Sequence, residues 1–354
     1  MNAFSCTWKT LPTKALAQDG AVGDEWDRLN AQGGNLPFLD AEAIANALEV
    51  FGNGQELLMV GSAAGRTVAM LVATPAGSLR WQTFQPAQIP LGAWVAEPGV
   101  DLEALAGSLN RGGLGLCVTF SVTQVDPRFA PRKADSASSR TADYIETGWI
   151  DIAGSFEDFW NGRGKNLRQN MRKQRNKLET EGIAGRMRKI TEPGEMAAVI
   201  GRYGVLESAG WKAASGTAIH PDNDQGRFYT RLLEKAAARG EAFVYEYLFD
   251  ERTVAVNICV GRGDTITILK TTYDESTHPF SPAFLLLQDI LEEMHGEGRW
   301  KRVEFYGRMM EWHTRWTDQK RTLYHLTCYR WPLLKWVVGK VRDNKAEPKP
   351  AANP

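Results

Sequence analysis

The sequence predicts a protein of mixed helices and strands (α/β, of the α+β kind), in two halves whose helices and strands follow the same order. Helical and strand patterns both occur along the 354 residues, of which 43% are hydrophobic and 24% charged, as in a globular protein with a sizeable core. The length exceeds one average domain of about 150 residues. Each half contains helices, a strand meander, a further helix and a further strand, although no residue-level repeat is visible.

The first predicted half comprises residues 1–150. Helices are predicted in DEWDRLNA and in LDAEAIANALEVFG, the second of which opens at Asp40 and closes at Gly52. Two strands flank the turn at Ala63–Gly65, and LRWQTFQ predicts another. A helix in VDLEALAGSLNRGG and a buried strand in LGLCVTFSV follow. Residues 127–143 are rich in Pro, Ser and charge, which predicts an exposed loop near the join of the halves.

The second predicted half comprises residues 151–332. The strand YIETGWIDI leads into it, and Ser155 and Asp158 form a capping-box pattern at the start of a short helix. The basic run NGRGKNLRQNMRKQRNKLE predicts a helix that ends near Gly182 and docks through Leu167, Met171 and Leu178. The remaining elements are a strand, two helices, three successive strands, a helix in SPAFLLLQDILEEMHG, and strands in WKRVEFYG and RTLYHLTCYR. Residues 333–354 predict an amphipathic helix and a disordered tail.

Composition and missing motifs exclude several classes of function. Lys+Arg 42 balances Asp+Glu 42, whereas a dedicated DNA or RNA binder is more often basic overall. Neither a P-loop nor a dinucleotide-binding glycine motif occurs, and the histidines and cysteines lack metal-ligand spacing, so no metal is expected. Cys117, Cys259 and Cys328 lie in apolar strand patterns and predict buried free thiols.

The ends of the sequence bear on location. The start lacks a signal-peptide pattern and no apolar run approaches the roughly 18 residues of a membrane span, so we expect a cytoplasmic protein. The amphipathic stretch WPLLKWVVGKVR predicts packing against the last strand or, alternatively, weak contact with a membrane surface.

The helix that begins at Ser281 is a candidate anion site. Ser281 is the expected N-cap and Pro282 the first helical residue, which would leave free N–H groups at Ala283, Phe284 and Leu285 beside the end of a strand. Such a start suits a phosphate or pyrophosphate, but it is also typical of a well-capped helix without a ligand.

The next strand, KRVEFYG, offers a possible acid and base. Strand alternation puts Glu304 and Tyr306 on one face, with Val303 and Phe305 on the other. A carboxylate and a phenol on one face can accept and donate protons. The alternative is a solvated strand face with a half-buried tyrosine.

Several stretches together resemble one family. They are SFEDFW, KNLRQNMRKQRNKLE, GWK at Gly210–Lys212, KTTYD followed by SPAFLL, and VEFYG followed by EWHTRW. This order resembles the GNAT acyltransferases of the CelD-like group, distant relatives of the FemABX peptidyltransferases. The resemblance covers most of the chain and implies two tandem GNAT-like halves, each a mostly antiparallel mixed sheet flanked by helices. It implies acyl transfer from acetyl-CoA or another acyl-CoA to an amine, in polysaccharide or cell-envelope metabolism.

The resemblance also implies where the acyl donor binds. The CoA pyrophosphate would lie at Ser281, Ala283, Phe284 and Leu285, with the pantetheine arm near Thr271, Thr272 and Tyr273. Ala283 replaces a glycine that is usual in the family, which is a mild departure because a small side chain still lets a phosphate approach.

Reacting groups and acceptor contacts follow from the same comparison. Trp312-His313 stands where the family often has Tyr-Lys, so His313 joins Glu304 as a candidate base, while Tyr306 or Tyr273 would protonate the leaving thiolate. Residues in family-typical positions or at the docked edge of the basic helix are candidates for substrate contact: Trp211, Lys212, Lys270, Asp274, Arg168 and Arg172.

Two other functions compete with this interpretation. A Fem-like transferase would take its group from an aminoacyl-tRNA, but such enzymes commonly carry a long helical hairpin that the sequence does not predict. A non-enzymatic polyanion binder would use the basic run alone, and a DNA partner is not expected.

Overall fold

The computed structural model of the protein describes residues 6–209 and 219–336. The strands found in these ranges are β1 (Thr7–Pro12), β2 (Leu57–Ala63), β3 (Arg66–Pro75), β4 (Arg80–Thr83), β5 (Trp94–Ala96), β6 (Thr119–Val125), β7 (Ser139–Asp151), β8 (Gly185–Ile190), β9 (Ala242–Phe249), β10 (Arg252–Arg262), β11 (Thr265–Tyr273), β12 (Arg302–Glu304) and β13 (Lys320–Tyr329).

Helices alternate with these strands. They are α1 (Ala15–Gln18), α2 (Gly20–Gln32), α3 (Ala41–Phe51), α4 (Leu102–Ser108), α5 (Phe156–Asn161), α6 (Lys165–Thr180), α7 (Met196–Ala209), α8 (Asp224–Ala238), α9 (Pro282–Glu297) and α10 (Glu311–Thr314). Residues 275–280 form a short 3₁₀ segment directly before α9.

The chain forms two units, and each contains separate stretches of sequence. Within the described ranges, the first unit consists of residues 6–34, 52–144 and 322–336, and the second of residues 35–51, 145–209 and 219–321. The α3 segment therefore belongs to the second unit although it precedes most of the first in sequence. The predicted functional division at residue 150 stays a prediction.

The first unit is built on a mixed sheet in the order β1-β2-β3-β4-β6-β13, to which β5 adds beside β3. Neighbours are antiparallel except β4 and β6, which run parallel and are joined through β5 and α4. Leu105 of α4 belongs to one buried apolar cluster with Leu71, Phe120 and Leu326 of the strands, which forms the core on this sheet.

The second unit repeats that plan with the sheet order β7-β12-β11-β10-β9-β8. β11 and β12 are its parallel pair, and α9 connects them as α4 connects β4 and β6. On α6, Leu167, Met171 and Leu178 are buried, so the apolar stripe of the basic helix packs as predicted. Mixed, mostly antiparallel strands with flanking helices in each unit confirm the predicted fold class.

Two local predictions need comment. β7 begins at Ser139, so the last part of the predicted loop 127–143 is wrong: these residues are strand. Its polar composition is compatible with a strand whose residues 140–144 are exposed or half-buried. Ser155 caps α5 as predicted, because its hydroxyl accepts a hydrogen bond from the Asp158 amide at 3.0 Å.

Other features concern the interior and the end of the chain. Cys117, Cys259 and Cys328 are buried free thiols, as predicted.

No helix in the described ranges is long and apolar enough to cross a bilayer. Within the same ranges, no group of three or more His, Cys, Asp or Glu side chains is placed to hold a metal ion. Residues 332–336 are helical, and the rest of the predicted helix and tail lies outside the described residues.

Candidate functional site

In the second unit, β11 extends past the end of its parallel partner β12, and this leaves a gap in the sheet. The pairing of β11 with β12 ends at Thr267 and Glu304, whereas β11 continues to Tyr273. Beyond Glu304 the chain turns away at Tyr306, which adopts a left-handed backbone with φ of 49°. A non-glycine residue rarely adopts this conformation, and such backbone strain is concentrated at functional sites.

A β-bulge lies at the same level of β11. Ile258 of β10 pairs with Lys270 and Cys259 pairs with Ile268, which leaves Leu269 as the extra residue. A bulge bends its strand and re-aims the side chains that follow. The last residues of β11 are thereby turned relative to the regular part of the sheet.

A cavity of about 430 Å³ occupies this region, and every lining residue that the structure describes belongs to the second unit. The lining combines the end of β11, the start of α9, the end of α7 and the segment around α10. Its members are Asn170, Leu206, Glu207, Asn257, Ile268, Thr271, Thr272, Tyr273, Glu275, His278, Ser281, Pro282, Ala283, Phe284, Leu287, Trp312, Arg315 and Trp316. The size and the mixture of aromatic and polar groups are typical of a small-molecule site.

The start of α9 differs in detail from the prediction. Ser281 stands at the N-cap position but is left-handed, with φ of 52° and ψ of 51°, and its side chain makes no capping hydrogen bond. Its carbonyl oxygen accepts from the amides of Phe284 at 3.0 Å and Leu285 at 3.2 Å. The prediction of free amides at those two residues is therefore wrong. Ala283, at the second helical position, has no acceptor within an α-helix.

The predicted donor-binding residues come together here with one exception. Thr271, Thr272 and Tyr273 line the cavity from β11, and Ser281, Ala283 and Phe284 line it from the start of α9. Leu285 is fully buried in the core behind them. The strand end and the helix start thus enclose one space, as the sequence resemblance implied.

Two predicted acceptor contacts do not line the cavity. Asp274 is buried and organises the 3₁₀ segment: it accepts from the Ser276 amide at 2.9 Å and pairs with Arg252. The ammonium nitrogen of Lys270 lies 5.7 Å from the centre of the Tyr229 ring. Trp211 and Lys212 lie outside the described residues.

The basic helix contributes to the cavity through a neutral side chain. Asn170 lines the cavity, whereas Arg168 and Arg172 do not. The Arg168 guanidinium donates to the Arg163 carbonyl at 3.1 Å, and Arg172 is exposed to solvent.

Glu304 and Tyr306 lie beneath the sheet gap and outside the cavity lining. Glu304 is completely buried and pairs with Arg321, with 2.9 Å between Oε2 and Nη1. The same guanidinium stacks 5.2 Å from the centre of the Tyr306 ring, so the two predicted residues do share a face. The alternative of a solvated face is wrong, because Tyr306 is also buried and both contact a nearly buried arginine.

His313 supports the cavity wall from behind. Its ring stacks on Trp312 with 3.5 Å between ring centres, and its Nδ1 accepts from the Met310 amide at 2.9 Å. Burial lowers the pKa of His313 to about 4, so the imidazole is neutral at pH 7. Trp312 presents its own side chain to the cavity, and His313 does not line it.

Glu207 is a buried acid of the cavity that sequence reasoning missed, as it missed Glu275, His278 and Arg315. It lies on α7, is only 4% exposed, and accepts from the Ile219 amide at 2.7 Å. The Tyr203 hydroxyl lies 3.4 Å from its other oxygen and 3.1 Å from the Thr271 carbonyl. Burial, reinforced by the Glu207 charge, raises the pKa of Tyr203 well above its ordinary value, so this phenol remains a proton donor. The four-residue spacing of Tyr203 and Glu207 in an apolar helix was the available signal.

The comparisons with known proteins agree with this arrangement. Residues 165–314 match the family model described as an acetyltransferase (GNAT) domain. No curated protein matches the chain at a significant level.

Solved structures share the fold at low sequence identity. The C-terminal domain of a protein assigned as a lysylphosphatidylglycerol synthetase from Agrobacterium fabrum has a TM-score of 0.55 and 13% identity, over 93% of this chain and 96% of that one. A conserved protein of unknown function from Bacteroides thetaiotaomicron has a TM-score of 0.53 and 11% identity, over 92% and 100% of the two chains. FemX has a TM-score of 0.51 and 7% identity, over 79% and 89%.

The matched region contains the whole course from α6 to α10. It includes the sheet gap, the start of α9 and every cavity residue from Asn170 to Trp312, with only Arg315 and Trp316 just beyond it. Residues 165–314 therefore have a GNAT-type acyltransferase fold, which confirms the resemblance predicted from the motifs.

Proposed function

We propose that the second unit transfers an acyl group, an acetyl group in the first instance, from an acyl-CoA thioester to an amine. The observation that carries the proposal is the cavity in the sheet gap, which joins the end of β11, the start of α9 and the buried carboxylate of Glu207. The match of this region to the GNAT family supports the same reaction.

The acyl donor would enter along β11 and end at α9. The family resemblance implies that the pyrophosphate lies at the start of α9, where the Ala283 amide and the positive end of the helix dipole favour an anion. Arg315 and His278 line the same cavity and add a guanidinium and an imidazole that can donate hydrogen bonds to the phosphates. Phe284, Trp312 and Trp316 would enclose the apolar part of the pantetheine arm.

The reaction needs one proton acceptor and one proton donor. The amine nitrogen attacks the thioester carbonyl carbon, a C–N bond forms, the C–S bond breaks, and the amine loses a proton while the thiolate gains one. We assign the proton acceptor to Glu207 and the donor to Tyr273, because both line the cavity. Glu304, His313 and Tyr306 remain candidates only through water or movement, since none of them lines it.

The acceptor would be a primary amine carried by a molecule small enough for the cavity. Glu207 and Glu275 are the carboxylates among the described lining residues, and they favour an incoming ammonium group. The ammonium loses one proton to solvent before it attacks as the neutral amine, and Glu207 takes the second proton as the C–N bond forms. The envelope or polysaccharide pathway and the cytoplasmic location belong to this proposal as predictions.

Thiol release from a panel of acyl-CoA donors with pooled amines tests the proposal, together with calorimetry of CoA binding. We expect saturable CoA binding and amine-dependent thiol release. Absence of both would overturn it. Binding of tRNA at physiological salt, with aminoacyl transfer, would instead favour the Fem-like function. Within the described ranges the longest helices, α6 and α9, have 16 residues each and form no long hairpin for tRNA.

A matched pair of variants tests the role of Glu207. Glu207→Gln keeps an oxygen that can accept from the Ile219 amide but removes the proton acceptor, so we expect kcat to fall about 10²–10⁴-fold with CoA affinity unchanged. Glu251→Gln alters a carboxylate that is 90% exposed and does not line the cavity, and is the control. Equal turnover of the two variants would contradict the assignment.

A further inference from the structure

The first unit carries a cluster of exposed apolar side chains at one end of its sheet. Leu79, Leu116, Trp331, Leu333 and Trp336 form what we call the apolar end face, and the exposed fraction of each lies between 47% and 68%. Isolated exposed apolar residues are normal, but a cluster marks an interaction surface.

The sheet topology brings these residues together. The parallel strands β4 and β6 both begin at this end and β13 finishes there, since Thr119 pairs with Arg80 on one side and Tyr329 on the other. Backbone hydrogen bonds join the three segments: the Val118 amide donates to the Leu79 carbonyl at 2.7 Å, and the Arg330 amide donates to the Val118 carbonyl at 2.9 Å. The Arg330 guanidinium also binds the Gly115 carbonyl at 2.9 Å, beside Leu116.

The backbone conformation at Leu79 indicates that its exposed apolar side chain has been retained by selection. Leu79 has a φ of 58°, in the left-handed region that favours glycine or asparagine over a leucine. A leucine here lowers stability and projects an apolar side chain into solvent. Gly115, with a φ of 61°, similarly turns the chain so that Leu116 follows at the surface.

Basic residues lie next to members of the apolar end face in sequence. Arg80 and Arg111 are exposed, and neither they nor Arg330 pairs with a carboxylate anywhere in the ranges that the structure describes. Lys335 is the partial exception: it donates to the Ser136 carbonyl and lies 3.8 Å from an Asp135 oxygen. The sequence that follows, VVGKVR, continues the same mixture of apolar and basic residues.

We propose that the apolar end face binds the surface of an anionic lipid bilayer. Tryptophan and leucine side chains enter the headgroup boundary, and adjacent lysine and arginine side chains are attracted to anionic headgroups. Anionic headgroups would supply the counter-charge that Arg80, Arg111 and Arg330 lack among the described residues, and association with a second copy of the chain is an outcome of the test below. The proposal is independent of the acyl-transfer reaction, because it involves only the first unit.

Vesicle co-sedimentation of the full chain tests this proposal. We expect binding to phosphatidylcholine vesicles that contain phosphatidylglycerol, weak binding to pure phosphatidylcholine, and loss of binding as salt rises. Replacing Arg80 and Arg111 by glutamine should weaken binding roughly fivefold for each residue. The double variant Leu116→Glu/Leu333→Glu should weaken it by at least about tenfold.

The control is Val205→Glu, at an apolar side chain that is 70% exposed on the second unit. We expect it to bind vesicles as the unaltered chain does, and thermal melts would establish that all variants remain folded. The proposal is overturned if anionic vesicles do not bind the unaltered chain, or if Val205→Glu loses as much binding as the double variant. A dimer in sedimentation velocity that Leu116→Glu/Leu333→Glu dissociates would also overturn it, in favour of a second copy.

Discussion

The buried ion pair beneath the sheet gap allows a quantitative prediction about stability. Arg321 is 8% exposed in its side chain and Glu304 is 0% exposed, so Arg321→Met leaves a buried carboxylate without its main counter-charge. Removing one partner of a buried pair costs about 3–5 kcal/mol. In this variant Arg302 still lies 3.8 Å from the other Glu304 oxygen, so we expect the loss of stability to be near the lower end of that range.

The comparison variant is Arg186→Met, which breaks an ion pair with Glu251 at the surface. The two side chains are 48% and 90% exposed, and pairs of this kind contribute about 0.2–1 kcal/mol. Urea unfolding followed by tryptophan fluorescence gives the free energy of unfolding, and calorimetry should show a melting temperature lowered by roughly 6–20 °C for Arg321→Met.

A double-mutant cycle separates the pair from its surroundings. Glu304→Gln/Arg321→Met should lose less free energy of unfolding than the sum of its single variants, by about 1–3 kcal/mol. If Arg321→Met destabilises the protein no more than Arg186→Met does, or if the cycle shows no coupling, then Arg321 does not compensate the buried charge of Glu304. Either result refutes the predicted loss of about 3–5 kcal/mol.

Three further predictions concern caps, thiols and pH. Ser155→Ala should lower the free energy of unfolding by about 0.5–2 kcal/mol, whereas Ser281→Ala should change it by far less because Ser281 makes no capping hydrogen bond; equal losses in urea titrations would contradict this. Burial raises the pKa of the Cys117 thiol to about 11 and that of the Cys328 thiol to about 12. A thiol reagent at pH 8 should therefore label both cysteines only slowly before the protein unfolds. Rapid labelling of both in the native protein would refute this prediction. Burial alone would raise the pKa of Glu241, but hydrogen bonds from Arg262 and Arg239 outweigh it and hold the pKa below 4.5. The resulting stabilisation is present above the pKa of Glu241 in the unfolded chain and is lost as pH falls through its pKa in the folded protein. Glu241→Gln should therefore flatten the acid limb of a stability–pH curve, and an unchanged limb would refute this.

The sequence was most informative where a pattern is repeated along an element. The α6 stripe of Leu167, Met171 and Leu178 and the order of strands around α9 follow from periodicity alone, and the structure confirms both. The convergence of Thr271–Tyr273 with Ser281–Phe284 came from the family resemblance, which carries the tertiary information that periodicity lacks.

Details set by tertiary contacts could not be predicted in this way. The amide acceptors at α9 depend on the left-handed turn of Ser281, and a serine gives no local signal for that conformation. Burial of Glu304 depends on Arg321, which is 17 residues away in sequence. Glu207 reaches the cavity because α7 packs beside β11, and a single acid in an apolar helix does not reveal that packing.

The assignment of residues 35–51 to the second unit has a consequence for synthesis on the ribosome. Asn46 on α3 donates to the Phe228 carbonyl at 3.0 Å, and Arg262 binds Asp40 at 2.9 Å, so α3 meets its partners only after some 180 further residues have been made. The first unit in turn receives β13 near the end of the chain. Neither unit can therefore finish folding before most of the other has emerged. Until then the apolar side of α3, which includes the fully buried Ile44 and Ala47, has no permanent cover, and we expect this interval to be when the nascent chain is most dependent on chaperones.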